Sequence, residues 1–301
     1  MPTQREVQDR ISSVKNVQKI TRAMEMVAAA RLRRAEQRIE HLRPYAGAIR
    51  RMTRQAAEAA ENVPNLPILA EHEEMKNVGL LLVTGDRGLA GAFNSQILRA
   101  GLQAGSEHES EGRDIAWYAS GRRGVSSLAF RGHEVKGSYI GFTERPAYGD
   151  ARHIAEELMA AYVDGEVDEV EIFYNGYISP LTQEVRRETL LPLQQATILE
   201  AEEEDEDEDE DRPEHRALVE YEPDPEEILQ RLVPDYVEIS VYRALLESAA
   251  SELGARMTAM RNASQNAGEL IDDLTLEMNR ARQAEITQEI LEVVAGAEAL
   301  V

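Results

Sequence analysis

The chain contains no cysteine among its 301 residues. This absence excludes disulfide bonds, catalysis by a thiolate, thiol-based redox control and any zinc or iron–sulfur site that needs cysteine ligands. A thiol-free chain fits a reducing compartment without requiring one.

Long apolar runs are also missing. No stretch approaches the roughly 18 consecutive apolar residues that a membrane-spanning helix needs. Residues 1–6 lead directly into a charged helical pattern and not into the apolar segment of a signal peptide. We therefore expect a protein that is either soluble and cytoplasmic or peripheral to a membrane through its partners.

Lysine is scarce, and acidic residues dominate. The chain has 33 Lys and Arg against 56 Asp and Glu, for a formal charge of −23, which argues against nucleic acid as the main partner. A surface rich in carboxylates indicates either a protein that works at high salt or an arginine-favouring codon bias combined with one acidic loop. The only lysines are Lys15, Lys19, Lys76 and Lys136.

The two ends of the chain carry opposite charge. Residues 1–60 hold 13 basic and 6 acidic side chains, for a charge of +7. Residues 226–301 hold 6 basic and 14 acidic side chains, for a charge of −8. We therefore expect the two ends to attract each other along their length.

The N-terminal segment has the pattern of one very long helix. Thr3 and Glu6 form a capping-box motif, and neither Gly nor Pro occurs again before Pro44. The helical pattern continues to about residue 61, so some 55 residues would extend about 80 Å and require a partner. The apolar residues that recur at three- and four-residue steps are Val7, Ile11, Val14, Val17, Ile20, Met24, Val27, Leu32, Ala35, Ile39 and Leu42.

The C-terminal segment supplies that partner. A second helix is expected to begin near Pro225 and to be broken or kinked at Pro234. Its alternating three- and four-residue spacing is typical of a coiled-coil seam, so we predict that the terminal helices pair antiparallel. The predicted seam is Leu245, Ala249, Leu253, Met257, Met260, Ala263, Ala267, Leu270 or Ile271, Leu274, Met278 and Ala281.

Strands and helices alternate between the terminal segments, which predicts a mainly parallel sheet covered by helices on both faces. An antiparallel edge strand is expected at residues 183–191. The adjacent acids Asp168 and Glu169 are expected to be ordinary surface charges. The predicted strands are residues 78–84, 114–118, an uncertain third one after 134, and 167–174; the predicted helices are 93–104, 122–130 and 150–164.

No catalytic or metal-binding constellation is evident in the sequence. The six histidines are dispersed, and the glycines of the loop at residues 85–91 match neither common phosphate-binding motif. We therefore favour a packing role for these glycines over nucleotide binding. Residues 202–211 are ten consecutive acids, for which a tolerated surface insertion is favoured over a docking segment for a basic partner.

Two terminal motifs carry a specific resemblance. Residues 10–30 (RISSVKNVQKITRAMEMVAAA) and 281–290 (ARQAEITQEI) resemble the gamma subunit of bacterial F-type ATP synthases. The loop TGDRGLAGAFN at 84–94 and the motif YEPDP at 221–225 are similar to this family as well. The resemblance covers essentially the whole chain.

This resemblance implies a fold and a role. It implies an α/β fold with a long antiparallel coiled coil, in which residues 1–61 and 226–301 pair and residues 77–199 form a Rossmann-like parallel-sheet domain. Residues 200–225 would be an acidic loop and linker. The protein would be a non-catalytic rotor shaft without a cofactor, at the cytoplasmic face of the inner membrane. Its partners would be a ring of alpha and beta subunits, an epsilon subunit and the membrane c-ring.

The resemblance also assigns contacts to individual residues. Those implied to touch the alpha and beta ring are Arg256, Arg282 and Gln283, and those implied to touch the membrane ring are Tyr221 and Glu222. Met24 is implied to pack near Thr287 and Glu289, where the two helices meet. Coupling by protons or by sodium, the size of the c-ring and the restraint of hydrolysis stay open.

Two other interpretations compete with this one. A nucleotide-dependent enzyme with helical arms would bind a dinucleotide at the loop of residues 85–91. A generic coiled-coil scaffold would associate with itself and would need no other subunits.

Overall fold

The computed structural model describes residues 3–59, 67–70, 72, 74–193 and 224–298. Five helices and five strands lie in these ranges. In chain order they are α1 (Gln4–Ala59), β1 (Asn77–Val83), α2 (Phe93–Ser110), β2 (Asp114–Ser120), α3 (Arg122–Phe130), β3 (Val135–Tyr139), α4 (Tyr148–Val163), β4 (Glu169–Ser179), β5 (Thr182–Leu191) and α5 (Pro225–Glu298).

The strands form one sheet with the order β3-β2-β1-β4-β5. The first four strands are parallel, and β5 pairs antiparallel with β4 at the edge. The predicted parallel sheet, with helices on both faces and an antiparallel edge strand, is confirmed. The uncertain strand after residue 134 is β3.

Both faces of the sheet are buried, because neighbouring residues of a strand point to opposite faces. On one face, Leu80 and Leu82 pack in a cluster with Ile97 of α2 and Leu128 of α3. The other face of β1 carries Leu81. It packs in a second cluster whose other members include Ile154 and Leu158 of α4 and Val241 and Leu245 of α5.

The chain divides into two compact units. One consists of Met1–Ala30 with Arg256–Val301, and the other of Arg31–Ala255. The second unit contains the whole sheet together with the second half of α1 and the first part of α5. Within it, Ala46 and Ile49 of α1 pack against Leu232 and Ile239 of α5.

Both long helices continue through an internal proline. Pro44 lies inside α1 and Pro234 inside α5, so of the expected break or kink at Pro234 the break is wrong. A proline in a helix interior removes one backbone hydrogen bond and costs about 3 kcal/mol. The neighbouring Val233 and Val237 are fully buried, and this packing holds the helix together across the proline.

Asp168 is not the surface charge that its sequence position suggests. Its carboxylate lies 2.8 Å from His72 Nδ1 and accepts hydrogen bonds of 2.8 Å from the backbone N–H groups of Lys76 and Asn77. Burial acts to raise the pKa of Asp168, but these three bonds outweigh it and hold the pKa below its usual value. The side chain therefore joins the start of β4 to the start of β1.

We expect Asp168→Asn to lower the free energy of unfolding by about 1–3 kcal/mol at pH 7, because an amide is a weaker acceptor for the two backbone N–H groups. A carboxyl with a lowered folded-state pKa stabilises the fold above its unfolded pKa, and this contribution is lost as the pH falls through the folded pKa. The difference in the free energy of unfolding between the unchanged protein and Asp168→Asn should therefore shrink in acid. Urea denaturation at a series of pH values measures it, and a difference that grew below pH 4 would contradict the assignment.

Candidate functional site: exposed apolar faces of the terminal helices

The terminal halves of α1 and α5 pair antiparallel in the first unit. Val7 and Ile11, near the start of α1, pack with Leu274, whereas Gln18 and Glu25 contact positions progressively earlier in α5. The start of α1 is closed by the predicted capping box, since Thr3 N–H donates to Glu6 and Glu6 N–H donates to the Thr3 hydroxyl. The predicted antiparallel pairing is thus confirmed.

The seam on α1 differs from the predicted one in its middle part. The side chains that face α5 follow each other at four- and three-residue steps, as in a heptad repeat. Polar side chains occupy three of these positions: Gln18, Thr21 and Glu25 are buried or half-buried. The whole series is Val7, Ile11, Val14, Gln18, Thr21, Glu25 and Ala28.

Specific polar contacts stabilise this part of the seam. The Gln18 amide donates to the carbonyl oxygen of Ser264 over 3.3 Å, and Arg261 Nε donates to Glu25 over 2.9 Å. In this ion pair the arginine belongs to the acidic C-terminal segment and the glutamate to the basic N-terminal segment. The pair therefore has the opposite polarity to the expected attraction between the two ends.

Val17, Ile20 and Val27, which were expected in the seam, lie on the outside of the helix. Their side chains are 52%, 58% and 52% exposed. Together with the half-buried Met24 they recur at steps of three and four residues, so they share one face of α1. We call these four residues the outer stripe. Solvent-exposed apolar faces of this kind mark surfaces that another molecule covers.

A second exposed apolar surface is the end of α5. Met278 still packs against the cluster of Val7 and Ile11, but α1 begins at Gln4, so it offers no contact further along. Every residue from 282 to 295 is exposed. We call residues 282–295 the overhang; its large apolar side chains are Ile286, Ile290, Leu291, Val293 and Val294.

Arg282, Gln283, Thr287 and Glu289 all lie on this overhang and are exposed. The Thr287 hydroxyl donates to the carbonyl oxygen of Gln283 over 2.8 Å, a bond within the helix. Arg282 and Gln283 are thus available to a partner, as the resemblance implies. Contact with a particular subunit stays a prediction.

The structure does not bring Met24 near Thr287 and Glu289. Met24 precedes Glu25, which pairs with Arg261. Thr287 is 26 residues further along α5, or about 39 Å at 1.5 Å per residue. The structure therefore does not bring these residues together, because α1 begins at Gln4 and does not extend alongside the overhang.

Arg256, which was predicted to touch a surrounding ring, is only 7% exposed and interacts within the chain. Its contact with a ring of other subunits stays a prediction. Tyr221 and Glu222, which were predicted to touch a membrane ring, lie outside the described residues.

The loop of residues 85–91 has no place for a phosphate at the N-terminus of α3. Asp86 accepts the N–H of Arg122 over 3.0 Å, and the Thr84 hydroxyl accepts the N–H of Gly124 over 2.8 Å. The N–H of Arg123 donates to the carbonyl oxygen of Gly85. A carboxylate, a hydroxyl and a carbonyl oxygen thus already accept these three N–H groups of α3, which are not available to a phosphate.

Comparison with known proteins decides the family. A family model described as ATP synthase matches residues 3–300. The ATP synthase gamma chain of Rubrobacter xylanophilus is 43% identical, and the match covers 100% of this chain and 99% of that one. The chain belongs to the ATP synthase gamma chain family. The family member from Heliobacterium modesticaldum is 42% identical, with full coverage of both chains.

Solved structures agree with this family. A chain of the central stalk and c-ring structure of the Tetrahymena thermophila mitochondrial ATP synthase aligns with a TM-score of 0.59 and 26% identity, over 81% of this chain and 99% of that one. A chain of the Euglena gracilis mitochondrial ATP synthase aligns with a TM-score of 0.67 over 99% and 94% of the two chains. Its identity is 18%, so it supports the fold alone.

Features of a membrane span or a metal centre are not found in the described part of this family member. None of its described helices has the length and apolarity that crossing a membrane requires. The described residues likewise contain no group of three or more His, Asp or Glu side chains that could hold a metal ion.

Leu274 and Leu276 provide a matched test of the seam, because they are two residues apart but 4% and 58% exposed. We expect Leu274→Ala to destabilise the helical pair by about 2–4 kcal/mol, since it leaves a cavity between the helices. Leu276→Ala should change stability by less than about 0.5 kcal/mol. Thermal and urea unfolding of the full chain, followed by circular dichroism, measures both. Equal losses would contradict the assigned seam.

Proposed function

We propose that this chain is the central rotor shaft of an F-type ATP synthase and couples ion flow through a membrane c-ring to ATP synthesis on the beta subunits. The overhang of α5 is the observation that carries this proposal. A segment of 14 consecutive exposed residues with five large apolar side chains is not expected on a protein that works alone.

The exposed surface of the overhang favours a partner that surrounds the helix over one that contacts it on a single side. The overhang is a single helix, so a partner that buries its apolar side chains can reach it from every side. The outer stripe of α1 adds a second apolar face on the same helical unit. A ring of alpha and beta subunits, as the family implies, is a partner with a central opening suited to such a rod.

A shaft needs no active site of its own. It has to be stiff, and a paired helix resists bending better than a single one. In this proposal ADP and phosphate are converted on the beta subunits, while the gamma chain changes their conformation as it rotates. The epsilon subunit and the c-ring would contact other surfaces of the chain, which would then lie at the cytoplasmic face of the inner membrane as a peripheral subunit.

Association is the direct test of this function. Co-expression with the alpha and beta subunits of the same organism should yield a complex of three alpha, three beta and one copy of this chain. Replacing Ile290 and Val294 by Asp should weaken that complex if the overhang is enclosed. A chain that stayed alone or formed only dimers with itself would instead favour the coiled-coil scaffold.

Arg282 and Gln283 allow a test of mechanism within the assembled enzyme. We expect the double variant Arg282→Ala, Gln283→Ala to fold normally but to lower ATP synthesis in membrane vesicles several-fold, since polar contacts to the ring are lost. Arg99 and Gln103 are an exposed arginine and glutamine on α2 and serve as the matched control. Truncating both to Ala should leave synthesis unchanged. Equal rates in the two double variants would exclude the assigned contact.

A further inference from the structure

A cluster of charged side chains connects α5 to the strands β4 and β5 in the second unit. Arg243 Nη2 on α5 donates to Glu188 Oε2 on β5 over 2.7 Å. The hydroxyl of the fully buried Tyr174 on β4 donates to the other oxygen of Glu188 over 2.5 Å. Glu247, one turn after Arg243, lies 3.9 Å from it and 3.7 Å from Arg186 of β5.

The charges in this cluster depend on one another. Burial acts against the charge on Arg243, yet the carboxylate of Glu188 keeps the pKa of this guanidinium above its usual value. Burial raises the pKa of the Glu247 carboxyl, while Arg243 and Arg186 act to lower it. Burial also raises the pKa of Tyr174, so its phenol is neutral at pH 7 and donates.

Such a cluster contributes more to orientation than to stability. The cost of desolvating partly buried charges offsets most of their attraction, and apolar replacement of both partners is often neutral for stability. The hydrogen bonds, however, have fixed directions. The Arg243–Glu188 bond ties α5 to β5, and the Tyr174–Glu188 bond, which joins β4 to β5, holds the Glu188 carboxylate in place to accept it.

Large apolar and small side chains make the rest of this contact, since Val241 and Leu245 pack in the core cluster of the sheet. Ser248 and Ser251 donate to the carbonyl oxygens of Val83 and Asn175, and Ala244 and Ala250 are buried beside them. This packing holds the helix against the sheet, and the Arg243–Glu188 bond adds a contact with a fixed direction.

Arg243 lies where three elements meet. Besides its bond to β5, it borders a small cavity of about 30 Å³ between α1 and α5, which Ala46, Ile49 and Ile239 also line. A shift of α5 relative to either α1 or the sheet would change the surroundings of this one side chain.

We propose that Arg243 and Glu188 are positioning residues for torque: they hold α5 in one rotational register on the sheet, so that rotation of the sheet domain turns the helix without slip. This inference rests on the proposed function as a rotor shaft. Neither residue touches a nucleotide or a reacting atom, and both act through the helix that they hold.

The test removes the pair without leaving a lone charge. The variant Arg243→Met, Glu188→Leu replaces both partners by apolar side chains, and Arg243→Lys keeps the charge and the bond to Glu188. The matched control is Arg231→Met, Glu227→Leu, because Arg231 and Glu227 form an exposed pair of 3.0 Å on α5 alone. Each full chain is assembled with its partner subunits, the ring is fixed to a surface, and a probe on the sheet domain reports angular fluctuations at rest.

We expect the apolar pair to broaden the angular fluctuations about twofold while the melting temperature of the chain changes by only a few degrees. Arg243→Lys and the Arg231–Glu227 control should match the unchanged chain. Unchanged fluctuations in the apolar variant would overturn the inference. It would also be overturned by a large fall in melting temperature with unchanged fluctuations, because the pair would then serve stability alone. Failure of the unchanged chain to assemble would instead contradict the proposed function.

Discussion

The structure depends on an antiparallel pairing of two helices of unequal length. The shorter helix, α1, has 56 residues, and the longer, α5, has 74. Pairing sets Val7 beside Leu274, so the N-terminus of α1 lies about level with Met278 of α5. Residues 282–295 of α5 extend beyond it and are exposed. The overhang is thus a direct geometrical consequence of the register of the pair.

The composition of the seam has a second consequence. Polar side chains at Gln18 and Glu25 take places that apolar residues would fill more favourably, at a cost in stability that is typical of polar residues in coiled-coil seams. In return they bond to Ser264 and Arg261, which fixes the register. The apolar residues next to them are turned outward and form the outer stripe. Both exposed apolar surfaces, the overhang and the outer stripe, therefore follow from the register in which α1 and α5 pair.

The sheet domain was largely predictable from the sequence, because its short apolar strands alternate with helices and each strand is bounded by glycine or polar residues. The seam was predictable only where apolar residues occupy every position, as from Met257 to Leu274. Between Val14 and Ala28 an apolar series and a polar series lie one residue apart, and apolar periodicity selects the first of them. The polar series faces the partner helix because its side chains bond across the seam. That preference depends on Ser264 and Arg261, more than 230 residues away in the chain.

The contacts that join distant elements could not be predicted at all. Arg187 donates to the buried Glu171 over 2.8 Å and reaches Glu107 of α2, and Asp86 bonds to the loop after β3. Each of these side chains is an ordinary charged residue in its local sequence. Their roles arise only once the strand order is known. For the same reason, the burial of Arg256 was not predicted from the sequence.

The distribution of charge on α5 shows why net charge was a poor guide to the pairing of the ends. Glu238 accepts the hydroxyl of Tyr148, and Glu247 and Glu252 are buried in the same part of the helix, so these three acids are committed to the sheet domain. They contribute to the charge of −8 but, because they are buried against the sheet domain, they attract the basic half of α1 only weakly. The ion pair of Glu25 with Arg261 has the opposite polarity to the net charges of the two ends. The helices are instead held by apolar packing at both ends of the seam and by directional polar bonds in its middle. Bonds of this kind are less sensitive to salt than a long-range attraction between two charged rods, because they are made at contact distance and partly away from water. A pair of helices held in this way keeps its register when its surroundings change, and a fixed register is what a rod needs in order to transmit rotation.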